Sequence, residues 1–212
     1  MDRAREWNGS VVSDPRPFFS EASRTFLAVA RSVEPDEWDT PGLGEWNLRE
    51  LVAHTGRAFT TIEDYLGGSG HETITNPSDY YRIALALPDI HASVAERGHL
   101  AGAQIGDDPA AAIAELVDRV VPVVDATPLN AVLDVRGGVM TLATYLPTRV
   151  LERGVHTDDI CRARGRAPVA SAALVQQCGS ILVGMFDTEH ITVLRSLLGR
   201  GAFDGTDLFT RH

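Results

Sequence analysis

Hydrophobic residues recur along most of this chain at spacings of three and four, the period of an amphipathic helix. In residues 16–34, Phe19, Ala22, Phe26, Val29 and Val33 share one face, and Pro35 stops the pattern. Residues 40–47 (TPGLGEWN) read as a Gly/Pro turn, with Asn47 as the N-cap of a second helix. That helix carries Leu48, Leu51, Val52, Thr55, Phe59, Ile62 and Tyr65 before Gly67 and Gly68 end it. Residues 69–77 read as a loop. A third helix is expected over residues 78–97, followed by a polar break over 98–108. Residues 109–124 read as a fourth helix, with Pro109 in its first turn. The segment LNAVLDVRGG alternates weakly and reads as one short strand or an extended connector. A long helix is expected over residues 140–164, with Thr141 as a cap and Pro147 near its start or at a kink. Pro168 and Ser171 open another helix, expected to reach Phe186, and HITVLRSLLG reads as a short amphipathic helix ending at Gly199. No internal repeat or low-complexity segment interrupts this pattern. The expectation is an all-α fold over residues 1–212 as one domain, with room for one short β element and a short tail after about residue 187.

Composition narrows the partners. The formal net charge is -10, and all 19 cationic residues are Arg, scattered rather than gathered in a basic run. Such a surface repels phosphate backbones, so nucleic acid is not an expected partner. No apolar run approaches the roughly 18 residues that span a bilayer, and MDRAREWNGSVVSD lacks the apolar stretch of a signal peptide. A cytoplasmic protein without membrane contact is expected. Cys161 and Cys178 form no C-x-x-C pair and read as buried free thiols.

The segment from Arg149 to Asp159 carries the clearest chemistry. Glu152 and His156 are four apart on an expected helix, which sets their Cβ atoms roughly 5–6 Å apart on one face. That is a workable bite for one metal ion, but a third ligand is needed. Among the other histidines, His212 is terminal, His71 and His99 fall in expected polar loops, and His91 and His190 have weak surroundings. His54 lies beside the apolar stripe of Leu51 and Phe59, within reach of a facing helix. Spacing alone decides nothing, since a Glu-x-x-x-His pair is commonly a surface contact and a helical histidine is commonly a packed or half-exposed one.

The string Trp38-Asp39-Thr40-Pro41-Gly42-Leu43-Gly44-Glu45-Trp46-Asn47-Leu48-Arg49-Glu50-Leu51-Val52-Ala53-His54 resembles the N-terminal signature of the mycothiol-dependent maleylpyruvate isomerase family, a "W…P…gW…dLvaH" pattern. The family's later "E…vH..D" pattern matches Glu152, Val155, His156 and Asp159, with a gap of 152 − 54 = 98 residues. The tail VLRSLLGRGAFDGTDLF is also similar to actinobacterial members. The resemblance implies a DinB-like four-helix bundle with additional C-terminal helices. It assigns His54, Glu152 and His156 as ligands of one divalent metal, zinc or another, and it implies mycothiol as the thiol co-substrate.

Two imidazoles and one carboxylate leave an open coordination position, the pattern of catalytic sites, and a coordinated thiol is held as the nucleophilic thiolate. Cys161 and Cys178 are then structural. Asp159 is a candidate to orient a ligand, and Arg57 and Arg149 are candidates to hold a carboxylate of substrate or thiol cofactor. Arg82 is a further candidate, because the resemblance implies a functional Arg on the helix after the first histidine. Trp38 and Trp46 read as packing residues that fix the turn ahead of His54. The expected function is a mycothiol-using transferase or isomerase acting on a small electrophile, an unsaturated dicarbonyl acid, an epoxide or a xenobiotic. The isomerase itself carries a second, sterol-carrier-like domain, for which only a short tail stands here. Two rival readings are a hydrolase using metal-bound hydroxide, with Glu50 as a base, and a non-enzymatic metal-containing binding or stress module. A bundle of this size is also compatible with a homodimer.

Overall fold

The computed structural model describes residues 14–185 apart from Asp89. The expected helix ending at Gly199 lies outside the described residues. Four long helices form the bundle: α1 (Arg16–Arg31), α2 (Leu48–Tyr65), α5 (Pro109–Ala126) and α6 (Leu142–Ala163). Both α1 and α2 pack against α5 and α6, closing a ring of four. The fold is mainly α and DinB-like, as expected. Phe19, Phe26 and Phe59 are fully buried at its centre. Phe59 meets Phe19 edge-on at 6.0 Å and stacks on Phe26 at 6.4 Å between ring centroids.

Two expectations need correction. The helix expected over residues 78–97 is two helices, α3 (Pro77–Leu85) and α4 (Ile90–Gln104). Pro88 lies between them; it donates no backbone hydrogen bond and disfavours helical geometry at Leu87. The polar break expected from Gly98 is instead the second half of α4. Gly98 and Gly102 do not stop this helix; they let its backbone approach α2. A Cβ at Gly98 would lie 2.2 Å from the Trp46 ring, and one at Gly102 would lie 2.5 Å from Cγ of Glu50.

Among the described residues the strands form two small antiparallel hairpins. Pro41–Leu43 (β1) pairs with Trp46–Asn47 (β2), and Val132–Val135 (β3) pairs with Gly138–Thr141 (β4), Val132 facing Thr141. Each hairpin runs directly into a bundle helix, β2 into α2 and β4 into α6. The junctions are capped. Asn47 Oδ1 accepts from the Glu50 backbone N–H and Glu50 Oε2 accepts from that of Asn47, both at 2.9 Å. At the start of α6, Glu72 Oε1 accepts from the Thr141 backbone N–H at 3.0 Å and from the Thr144 hydroxyl at 2.6 Å, an anion at a helix N-terminus. The last described helix, α7 (Ala172–Met185), packs on α6, close enough that a Cβ at Gly154 would lie 3.0 Å from Sγ of Cys178. Cys161 and Cys178 are free and buried, and burial pushes the Cys178 thiol up to about 11. No described helix is long and apolar enough to cross a membrane.

Candidate metal centre

The two capped helices bring His54 of α2 against Glu152 and His156 of α6. One ligand atom from each of the three lies within 4.8 Å of the others. Glu152 Oε2 is 3.6 Å from His156 Nε2, and the rings of His54 and His156 meet edge-on with centroids 5.5 Å apart. The side chains of His156 and Glu152 keep 17% and 27% of their exposure, so the cluster is sheltered yet reachable from solvent.

Each member is tuned by its neighbours. His156 Nδ1 lies 3.0 Å from Asp159 Oδ2, one turn further along α6. Burial lowers the proton affinity of His156, but the hydrogen bonds to Asp159 and Glu152 win and raise its pKa to about 9. Burial raises that of Glu152, yet the bond to His156 and the charge of Arg149 hold it down at about 2. His54 moves the other way: burial, then the charge of His156, lowers it to about 3, so it stays neutral. Its Nδ1 is buried without a hydrogen-bond partner.

Trp46, read from sequence as packing, covers His54. The two rings lie 4.4 Å apart at 33°, and the indole N–H donates to the Ala95 carbonyl at 3.1 Å. Its partner helix lies some 50 positions further along the chain, which local periodicity does not reveal.

The candidate arginines separate. Arg149 is buried on α6, with its guanidinium 4.7 Å from the Tyr145 ring centroid and 5.6 Å from that of Tyr80. Its Nε donates to the Thr148 hydroxyl at 3.0 Å, and Tyr81 donates to the Thr148 carbonyl at 2.8 Å. The tyrosines were not foreseen; paired aromatics at 80 and 81 on an amphipathic helix were the available signal. Arg57, half-buried on α2, adds positive charge that helps keep His54 neutral. Arg82 sits on α3 with its side chain 40% exposed, and an ion pair with Asp79 is among its contacts. Glu50 is occupied as the α2 cap and by His99, whose Nδ1 is 2.7 Å from Oε1. His99 itself lies on α4 and not in a loop.

A bundle with two imidazoles and a carboxylate converging from facing helices defines a class of protein with a donor cluster that could hold one metal ion. Residues 19–161 match the mycothiol maleylpyruvate isomerase N-terminal domain. The chain belongs to that family. No match was found among curated proteins or among solved structures.

Proposed function

We propose that the protein is a metal-dependent enzyme that adds the thiol of mycothiol to a small electrophilic molecule, as a transferase or, where the adduct releases the thiol again, as an isomerase. The convergence of His54, Glu152 and His156 within 4.8 Å carries this reading. The donor set suits zinc or a similar divalent ion: two imidazoles, one carboxylate and room for an exogenous ligand. The buried, unpartnered Nδ1 of His54 is what a ligand-seeking imidazole presents before it is satisfied. A bound ion would supply one thing here, holding the thiol as its thiolate at neutral pH.

The chain's own groups do the rest. Asp159 accepts from His156 Nδ1 and thereby orients Nε2 toward Glu152. Trp46 fixes the plane of the His54 ring. Arg149, backed by Tyr80 and Tyr145, supplies a fixed positive charge for a substrate carboxylate, and Arg57 supplies a second. Neither cysteine serves as the nucleophile, since both are buried and burial keeps the thiol form. With Glu50 engaged as a helix cap, no observation favours the hydrolase. On this reading the enzyme works in the cytoplasm, where low-molecular-weight thiols are kept reduced.

Elemental analysis of purified protein should find about one divalent ion per chain, and His54→Ala or Glu152→Ala should lose it. Cobalt-substituted protein should change its visible spectrum when mycothiol is added. Unchanged metal content in both variants would sink the site, and an unresponsive cobalt spectrum would sink the thiol chemistry.

A further inference from the structure

Arginines from four parts of the chain gather beside the triad. Arg57 follows His54 by three residues, on the same side of α2. Arg97 lies in the stretch of α4 that meets Trp46, between Ala95, whose carbonyl accepts the indole N–H, and Gly98. Arg136 sits at the tip of the β3–β4 hairpin, next to Gly137, which turns the chain at a φ of 92°. A Cβ on Gly137 would lie 2.6 Å from Cγ2 of Ile83, so the tip packs on α3 one turn beyond Tyr80. Arg149 precedes Glu152 by three on α6, against the Tyr80 and Tyr145 rings.

The four sense one another and the site. Burial, then the charges of Arg136 and Arg57, lowers the pKa of Arg97. The charges of Arg57 and Arg97 both reach His54, and those of Arg149 and Arg136 both reach Tyr80. Cations gathered this closely repel, and a chain of net charge -10 has many acids that could offset them. It does so elsewhere: the half-buried Arg49 and Arg164 lie 3.9 Å from Asp39 and 2.6 Å from Glu37. Among the described residues, none of Arg57, Arg97, Arg136 and Arg149 makes an ion pair. Glu152, the nearby triad carboxylate, is engaged by His156.

Their donors are available as well. Arg97 donates from Nη1 to the Ser93 hydroxyl, and Arg149 from Nε to that of Thr148. Nη1 and Nη2 of Arg149 have no partner among the described residues, yet they are not sealed from solvent as are the nitrogens of Arg153, which is buried between Phe19 and Phe59. Arg57 and Arg97 are half-buried and Arg136 is exposed, so a ligand can reach all three.

We propose that the mouth of the triad is a subsite for an oxyanion of two or more charges, and that Arg97 and Arg136 join Arg57 and Arg149 in selecting it. A single carboxylate answers one guanidinium fork, whereas a phosphate or a dicarboxylate offers oxygens and charge to several. That this anion is part of the electrophile rests on the thiol chemistry proposed above. Neutral epoxides and neutral xenobiotics are then poor substrates.

Calorimetric titration of the purified protein with inorganic phosphate, malonate and acetate, at fixed ionic strength, tests the subsite. Phosphate or malonate should bind at least tenfold more tightly than acetate. A preference for phosphate marks a phosphorylated ligand and a preference for malonate a dicarboxylate; either supports the subsite. Arg97→Gln and Arg136→Gln, both outside the buried core, should each weaken that binding about tenfold through loss of a charge-assisted contact. No binding of either dianion, or acetate bound as tightly, would overturn the proposal. So would affinities unmoved by both substitutions, which would leave the anion on the metal alone. Metal content reads the triad and this titration reads the arginines. A titration that succeeds where the cobalt spectrum ignores mycothiol keeps the subsite and sinks the thiol chemistry, and the reverse result sinks the subsite alone.

Discussion

His156 sits between two carboxylates, and that placement governs how the triad meets a metal ion. With its pKa raised to about 9, the metal-free imidazole carries a proton at neutral pH that a metal must displace. His54, at about 3, and Glu152, at about 2, have no proton to lose there. Apparent metal affinity should therefore rise about tenfold per pH unit toward pH 9 and level off above it, as read by competition with a chromogenic chelator. An affinity flat from pH 6.5 to 9 would show that His156 is already neutral. The stability of the metal-free protein runs oppositely. The folded pKa of His156 lies above its ordinary 6.5, so its contribution is complete below pH 6.5 and is lost as pH rises through about 9. Asp159→Asn should weaken metal binding by roughly 10–100-fold, because the ring loses its charged acceptor, and should move the proton-release step to lower pH. A shift in affinity with no shift in that step would assign Asp159 a packing role.

The helices place the triad through contacts that differ in how far apart they are along the chain. Gly98 brings α4 onto Trp46, and Trp46 lies on His54. Gly98→Ala gains up to about 1 kcal/mol of helix propensity but sets a Cβ 2.2 Å from the indole. The clash should prevail, with a net loss of about 1–3 kcal/mol in urea unfolding and weaker metal binding as Trp46 leaves the His54 ring. A stabilised variant with intact affinity would show that α4 plays no part in positioning the site. The same contact explains what local pattern reading could and could not see. Capped, periodic helices such as α1, α2, α5 and α6 announce themselves, and Asn47 was readable as a cap from its place before Leu48. Gly98 read as a breaker because its purpose, close approach to Trp46, depends on a residue 52 positions away (98 − 46). Only the end of β4 was misplaced: Met140 was read as the start of α6, since a four-residue strand offers too short a period to separate the two forms. The triad itself needed both motifs of the family; spacing offered Glu152 and His156, and the six other histidines left the third ligand open. Arg153 was overlooked beside them, although a charged residue at a core position of a helix is the signal that could have raised it.

Over the whole molecule, the triad ties together parts of the chain that are 98 residues apart (152 − 54). His54 enters from α2 and the other two from α6, helices that already pack against each other within the ring of four. A metal held by both therefore binds the folded bundle and not the unfolded chain, where the three ligands are dispersed. Linkage then fixes the size of the effect: free metal at a hundred times its dissociation constant adds about 2.7 kcal/mol. For a chain of this length that corresponds to a Tm higher by roughly 5–11 °C than in excess chelator. His54→Ala should unfold at the same temperature with and without chelator, because the two ligands left on α6 no longer join it to α2. Calorimetry of both proteins decides the point. If chelation leaves the wild-type Tm unchanged while removing one metal per chain, the ion is bound but does not clamp the helices, and the bundle holds its shape through the aromatic core alone.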